Sequence, residues 1–496
     1  MWRFVLLILC LAQATFGQAW THLGNLPVNP TVAMTSSDGK TSTANVQPFR
    51  RHWHKLVYLG GKTQKMMYWP ANPNCCAGTF SNAIFLFDTN KALAARNATD
   101  PGIWTLAWSR RTKASLSKAP ITSIRREKGT VTVTFSTEPL SVFRGANVLI
   151  TTTNSPSNHS FDGLFSITGT EDLLAHSLTY SQNPSLPDEA GVCSGTDPNS
   201  RCGFVVTPVD DLHNPSDRHP YWIIAYDPRR NVMYNGFGSS HASLTGCGDC
   251  SEKDFYKLDF SLEQPEWTQL CGDPRITITC QDGKGVAVPG IQEGQGAYDK
   301  DNDVFVIYGG LVRGSQTDTT WEYKPATNAW ARTCFNDCLS SLGGPKGLNK
   351  AGFVYDESGR KFVLFGGVTP GGGGKVDNSD TFLYDTTTHK WTKAKPPVSP
   401  PSQSCPPMDY DPDRGSVILI SGDTRSRPSR VWEWKSVTAS WTDLDIADGP
   451  PLSTVGDAWN DGGYDRYVHK FVLIVDQTSQ QTAHVEVLTL PGAVAP

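Results

Sequence analysis

The chain has 496 residues, with 44 basic against 48 acidic side chains, a net charge of −4 and a pI near 6.3. So even a balance provides no electrostatic footprint for nucleic acid, and beyond the first residues no apolar run approaches the length of a membrane-spanning helix. Forty-five glycines and 34 prolines suit short strands and turns better than long helices.

The N-terminus supplies one positive charge at Arg3, an apolar stretch from Phe4 to Ala12, and small residues at Ala14, Gly17 and Ala19. This is the layout of a cleaved secretory signal over residues 1–19, so an exported protein, extracellular or periplasmic, is expected. Cys10 follows Leu9, which leaves out the small residue that precedes a lipidated cysteine. Residues 20–110 are predicted to hold an isolated strand, Trp20-Thr21-His22-Leu23, and a first repeat from Tyr58 through Gly60-Gly61 to Ile84–Asp88 and Trp104. Residues 111–210 interrupt the series. Runs at 121–124, 130–135, 146–151, 161–167 and 178–180, separated by polar turns, predict an inserted meander or barrel of about five strands.

Over residues 211–496 one phrase recurs: Tyr-Asp, a short apolar run, a glycine stop. It starts at Tyr226, Tyr298, Tyr355, Tyr410 and Tyr464, at spacings of 72, 57, 55 and 54; in the last copy Asp476 stands where the glycine belongs. A period near 50 with turns between short apolar runs signals a radial array of four-stranded sheets. With the degraded copy at Tyr58 there are six starts, and the sixth lacks a closing tryptophan. Trp20–Leu23 matches Trp104-Thr105-Leu106 and is expected to supply that strand, beside Val485–Leu490, so that no sheet edge is left open. The fold class expected is therefore all-β: a six-bladed β-propeller closed by an N-terminal strand, with a small inserted β domain.

Without Cys10 there are eleven cysteines. Cys193/Cys202, Cys247/Cys250, Cys271/Cys280 and Cys334/Cys338 each flank a short Gly-, Asp- or Asn-rich loop and are expected to be disulfide staples. Cys247-Gly-Asp-Cys250 also has half the spacing of a zinc ribbon or a redox motif, but no second Cys-x-x-Cys completes it. The adjacent Cys75 and Cys76 either close a strained vicinal ring or leave one partner to Cys405.

In three repeats a tyrosine or tryptophan precedes a tryptophan by seven residues: Tyr323/Trp330, Tyr384/Trp391 and Trp434/Trp441. Together with the glycine pairs Gly309-Gly310 and Gly366-Gly367, this resembles the Kelch family, which includes the central domain of galactose oxidase. The resemblance implies a β-propeller and covers about three quarters of the chain. Phe161-Asp162-Gly163-Leu164-Phe165 with Leu178-Thr179-Tyr180 resembles a small β module of bacterial and phage surface proteins, for which a structural role is expected.

No His-Glu-x-x-His, phosphate loop or Gly-x-Ser-x-Gly occurs. In the predicted register the loops between second and third strands share one face with the links between blades. They bring Cys75 with Cys76, His241, Arg313 with Asp318, Asp377 with Asp380, and Asp423 with Arg425, Arg427 and Arg430 towards the channel mouth. Guanidinium groups beside carboxylates hold sugar acids or peptide carboxylates by paired hydrogen bonds. His241 is the one candidate for proton transfer. The copper oxidase among Kelch relatives needs two histidines, two tyrosines and a cysteine, and no histidine cluster in this sequence matches. The expectation is thus a binding module for an extracellular glycan or protein, monomeric and without metal or cofactor. The alternative is a carbohydrate-active enzyme of mutarotase, lyase or oxidase type at the same mouth.

Overall fold

The computed structural model describes residues 19–491 apart from 27–30, 36–40, 46–54, 70–83, 101, 109–117, 136–139, 142–146, 153–160, 162, 171–173, 192–202, 207–214, 216–220, 241–249, 263–264, 273–278, 335–343, 372–373, 423–427, 453–460 and 478–481. Six four-stranded antiparallel sheets recur along the chain. Their innermost, first strands are Lys55–Leu59, Ile224–Asp227, Gln295–Asp299, Gly352–Asp356, Met408–Asp411 and Asp461–Asp465, and we number the sheets 1 to 6 in that order. Each first strand lies beside the first strand of the next sheet, and that of sheet 6 lies beside that of sheet 1. The arrangement is consistent with a β-propeller.

Pleating explains why the second strands are apolar throughout. Successive side chains point to opposite faces, and each sheet is covered on both. In Val304–Tyr308, Phe305 and Ile307 pack towards sheet 2 while Val304, Val306 and Tyr308 pack towards sheet 4. In the last sheet, Phe471, Leu473 and Val475 face sheet 5 whereas Val472 and Ile474 face sheet 1. The outer tryptophans fill the widening wedge between neighbours, and three of them also bond across it, Trp330 Nε1 donating to Cys271 Sγ at 3.3 Å. Trp391 Nε1 donates to Thr320 Oγ1 and Trp441 Nε1 to Thr381 Oγ1, both at 2.9 Å.

The strand Trp20–Asn25 completes sheet 6 as its fourth strand. It pairs antiparallel with Thr482–Leu488 in the register Trp20↔Leu488, Thr21↔Val487 and His22↔Glu486. Trp20 then occupies the wedge between sheets 5 and 6, the place its counterparts hold elsewhere.

The repeated aspartate has a structural task. Asp227, Asp299, Asp356, Asp411 and Asp465 are all buried, and each uses Oδ1 to accept two backbone N–H groups of the turn that follows. This local Asx geometry sets the first hairpin of sheets 2 to 6, whereas in sheet 1 Leu59 stands at that position. In three sheets Oδ2 also reaches the next sheet's outer turn: Thr386 Oγ1 donates to Asp299 and Thr89 Oγ1 to Asp465, both at 2.6 Å, and Ser436 Oγ donates to Asp356. The tyrosine before the aspartate reaches the other way. Tyr355 Oη donates to Asp301 Oδ2 at 2.8 Å and Tyr464 Oη to Asp413 Oδ2 at 2.6 Å, both on the turn of the preceding sheet.

Several features depart from the expectations. A hairpin of Thr31–Thr35 and Thr41–Asn45 lies between the closing strand and sheet 1. A short helix, Thr89–Ala95, follows the third strand of sheet 1, with Asp88 accepting from Lys91 N at 3.0 Å. The insertion holds more than five strands. Seven pair in one curled sheet, in which Lys118–Glu127 bonds to Thr130–Phe135, Glu189–Gly191 and Gly203–Val206. The last of these returns from far along the chain and was not legible as part of a meander. Its core is Ile121, Ile124, Val131, Val133, Val148, Ile150 and Tyr180.

Cys271 and Cys280 form a disulfide with a Cα separation of 5.0 Å, which fits an oxidising environment. Cys405 carries a free, buried thiol, so the alternative that joined it to Cys75 or Cys76 is incorrect. Cys75, Cys76, Cys193, Cys202, Cys247 and Cys338 lie outside the described residues, as do the side chains of Cys250 and Cys334. Among the described residues no helix is long and apolar enough to cross a membrane.

Two predictions follow from the stitching. Asp299→Ala strands the amides of Asp301 and Asn302 and the Thr386 hydroxyl, and should destabilise by about 2–4 kcal/mol in urea unfolding; a loss comparable to that of an exposed aspartate would refute the role. The second concerns pH. Paired hydrogen bonds from Arg230, at 2.6 Å each, hold the Asp303 carboxyl below its ordinary range. A lowered native value means the contribution is complete above the ordinary carboxylate value near ~4 and disappears as pH falls through the lowered one. Asp303→Asn should therefore flatten the fall of the urea midpoint on acidification; an unchanged slope would count against it.

Candidate functional site

The six first strands enclose a channel, because each contributes lining residues to one cavity of about 300 Å³. Tyr58, Tyr226, Tyr298, Tyr355 and Tyr410 ring its end nearest the first hairpins, with Lys300, Glu357 and Arg466 among them. These charges are already linked: Arg466 Nη2 donates to Glu357 Oε1 at 2.6 Å, and Lys300 Nζ lies 3.5 Å from Glu357 Oε2. Deeper inside, Asp409 accepts the amides of Tyr410 and Tyr464, both at 2.8 Å, while burial pushes its carboxyl upward. Lys55 Nζ donates to Asp461 Oδ1 at 3.1 Å. Burial also pushes the hydroxyls of Tyr58 and Tyr226 up to about 12, so both stay protonated donors at neutral pH.

The opposite end is built by the links that enter the first strands. Four of their residues, Tyr221, Glu293, Lys350 and Cys405, each stand five positions before the repeat tyrosine, and all four have left-handed backbone, φ 50°, 51°, 59° and 53°. A non-glycine residue held there costs of order 1 kcal/mol or more and persists only where its surroundings impose it. Here the backbone imposes it: Lys350 N donates to Glu293 O at 3.2 Å and Cys405 N to Lys350 O at 2.7 Å, passing round the mouth from sheet to sheet. The glycine pairs lie beneath. Gly310 N donates to Leu348 O and Gly367 N to Gln403 O, and a Cβ on Gly309 or Gly366 would come within 2.4 Å of the same carbonyls. The equivalent residues in sheets 1 and 6, Trp53 and Trp459, lie outside the described residues.

Their side chains form a buried, mixed cluster. Lys350 Nζ is 3.2 Å from Glu293 Oε1, and Asn349 Nδ2 donates to Glu293 Oε2. Cys405 packs with Tyr221 and Trp222. Burial raises its thiol well above the ordinary range; Lys350 opposes that, while Glu293, Asp377 and Asp461 reinforce it. Cys405 is thus a neutral thiol among charged neighbours.

Of the sequence-predicted residues, Asp377 belongs to this mouth: it stands on the rim, with desolvation lifting its carboxyl and Lys350 pulling it down. Arg313 occupies an exposed hairpin tip, left-handed at φ 51° and followed by Gly314 at φ 77°, where turn geometry accounts for it. Asp318 is half-buried and acts on Tyr308, one strand outward from the channel. Asp380 is engaged by Lys393 Nζ at 2.7 Å, and Arg430 by Asp443. His241, Asp423, Arg425 and Arg427 lie outside the described residues. Sequence reasoning missed Glu293, Lys350 and Tyr221. The constant offset from the repeat tyrosine marks their positions, but four different residue types there give no visible motif.

No family model matches the chain, and no curated protein matches it. Among solved structures it is similar to YjhT at 16% identity and a TM-score of 0.33, over 51% of this chain and 72% of the other. So low a score adds nothing to the geometry above.

If Cys405 is a buried neutral thiol, alkylation followed by peptide mapping should label it only after unfolding. The same map should recover Cys271 and Cys280 as one cross-linked peptide. Labelling of Cys405 in the native protein would contradict the packing described.

Proposed function

We propose that the protein is an exported, closed six-bladed β-propeller of the Kelch type, and that its channel binds an extracellular glycan. The observation that carries this is the tyrosine-ringed channel to which all six first strands contribute. Aromatic rings offer apolar faces to sugar C–H groups, and neighbouring Lys, Arg and Glu supply directional hydrogen bonds. A volume of about 300 Å³ suits one or two sugar rings. The disulfide and the signal-like N-terminus support export, and the contact of the last sheet with the first supports closure.

A second reading, catalysis, is favoured by the opposite mouth. Buried ionisable groups with strained backbone concentrate at functional sites, and Glu293 and Cys405 combine both features beside the half-buried Lys350. In that reading Lys350 and Glu293 exchange a proton with a sugar held at the rim by Asp377.

The mature protein should be screened against neutral and acidic oligosaccharides by glycan array and calorimetry. A ligand of the channel should lose about 1.5–3 kcal/mol of affinity on Lys300→Ala or Glu357→Gln, as expected for charged hydrogen bonds. Absence of any glycan ligand, or ligands indifferent to both substitutions, would refute the channel as the binding site. Turnover of a bound sugar that Lys350→Met abolishes without weakening binding would establish the enzymatic reading instead.

A further inference from the structure

The seam where the N-terminal strand closes sheet 6 carries a second constellation. His22 stands directly opposite Glu486 in the pairing register, and His484 lies two residues before Glu486 on the same strand, hence on the same face. Two histidines 462 positions apart, invisible as a pair in sequence, therefore converge on one carboxylate. His22 Nδ1 is 2.5 Å from Glu486 Oε1, and His484 Nε2 is 3.2 Å from the same oxygen. All three donor atoms fall within 4.8 Å of one another.

We infer that His22, His484 and Glu486 bind one divalent metal ion of the zinc class, which latches the closing strand to the last sheet. A tetrahedron on metal–ligand bonds of about 2.0–2.1 Å has edges of roughly 3.3 Å, which the His484–Glu486 separation already approaches. Only His22 must withdraw slightly, and it is free to do so: its side chain is 62% exposed, whereas those of His484 and Glu486 are 5% and 7% exposed. Two preset, buried ligands and one adjustable ligand at the rim leave the remaining position open to water. Two imidazoles and a carboxylate suit zinc, cobalt or nickel; calcium and magnesium require oxygen ligands. The apolar face around them, formed by Trp20, Leu473, Val475 and Leu488, keeps solvent from the inner side. Because ligands come from both strands of the seam, the ion would bind only when the seam is paired, and binding must then stabilise that pairing.

The test uses the mature protein stripped with a chelator. Calorimetry should show one equivalent of zinc bound, cobalt should give the visible absorption of a low-coordinate site, and amides of residues 20–25 should exchange more slowly with zinc than without. His22→Ala, an exposed change that leaves the fold intact, should weaken zinc binding by more than about 100-fold, beyond the 10–100-fold typical of losing an outer-shell partner. His484→Gln should do the same if it folds. No saturable zinc uptake, or uptake unchanged in His22→Ala, would overturn the site. Unchanged exchange at residues 20–25 on zinc binding would overturn the latch.

Discussion

The buried carboxylate at the end of the first strand in sheets 2 to 6 is the constraint on which their lateral packing depends. A carboxylate without water is costly unless its oxygens are occupied, and here one oxygen is filled by the sheet's own turn. The other is thereby committed to a neighbour, and at Asp299, Asp356 and Asp465 that neighbour is the outer turn of the following sheet. Local turn formation and lateral assembly thus draw on the same side chain, so a sheet whose hairpin is correctly formed already presents the donor-seeking oxygen that positions the next. Asp227 keeps its second oxygen within its own sheet, where Arg230 and Tyr234 donate to it, and Asp411 is the informative exception. The sheet after it has no turn between its third and fourth strands, because its fourth strand comes from the N-terminus, so no hydroxyl of such a turn reaches Asp411.

At the other end of the first strands the same economy appears in the backbone. The glycine pairs let a link from the next sheet cross at carbonyl distance, and that crossing turns the link residue left-handed. The residue so placed must point into the channel mouth, whatever its type. Lateral packing therefore creates four equivalent positions among the described residues, and the chemistry at the mouth is decided by which side chains occupy them: Tyr221, Glu293, Lys350 and Cys405.

The sheet architecture was legible because its determinants are local and repeated. Tyr-Asp marks a turn, a glycine pair marks a crossing, and apolar strands between them admit few alternatives. Trp20 was legible as a misplaced copy of Trp104. The mouth was not, since its residues share a position and no chemistry, and Arg313, which reads as a binding residue, serves a tight turn. Nor was the His22–His484–Glu486 group: it arises only when the two ends of the chain meet, and no local pattern signals that meeting. The return of Gly203–Val206 into the inserted sheet escaped notice for the same reason.

Closure by Trp20–Asn25 also imposes an order of events on synthesis. Trp20–Asn25 is made long before the strand with which it pairs, Thr482–Leu488. Five sheets can form from contiguous chain as it emerges, while this early segment must wait unpaired, its exposed backbone a ready template for a strand of another chain. The entropy of joining such distant segments grows only slowly with length, so the difficulty is one of waiting rather than of free energy. The pairing thus behaves as a record of completion: a chain truncated just before residue 482 keeps Trp20–Asn25 but lacks the strand it pairs with, so that both sides of the seam are left as open edges.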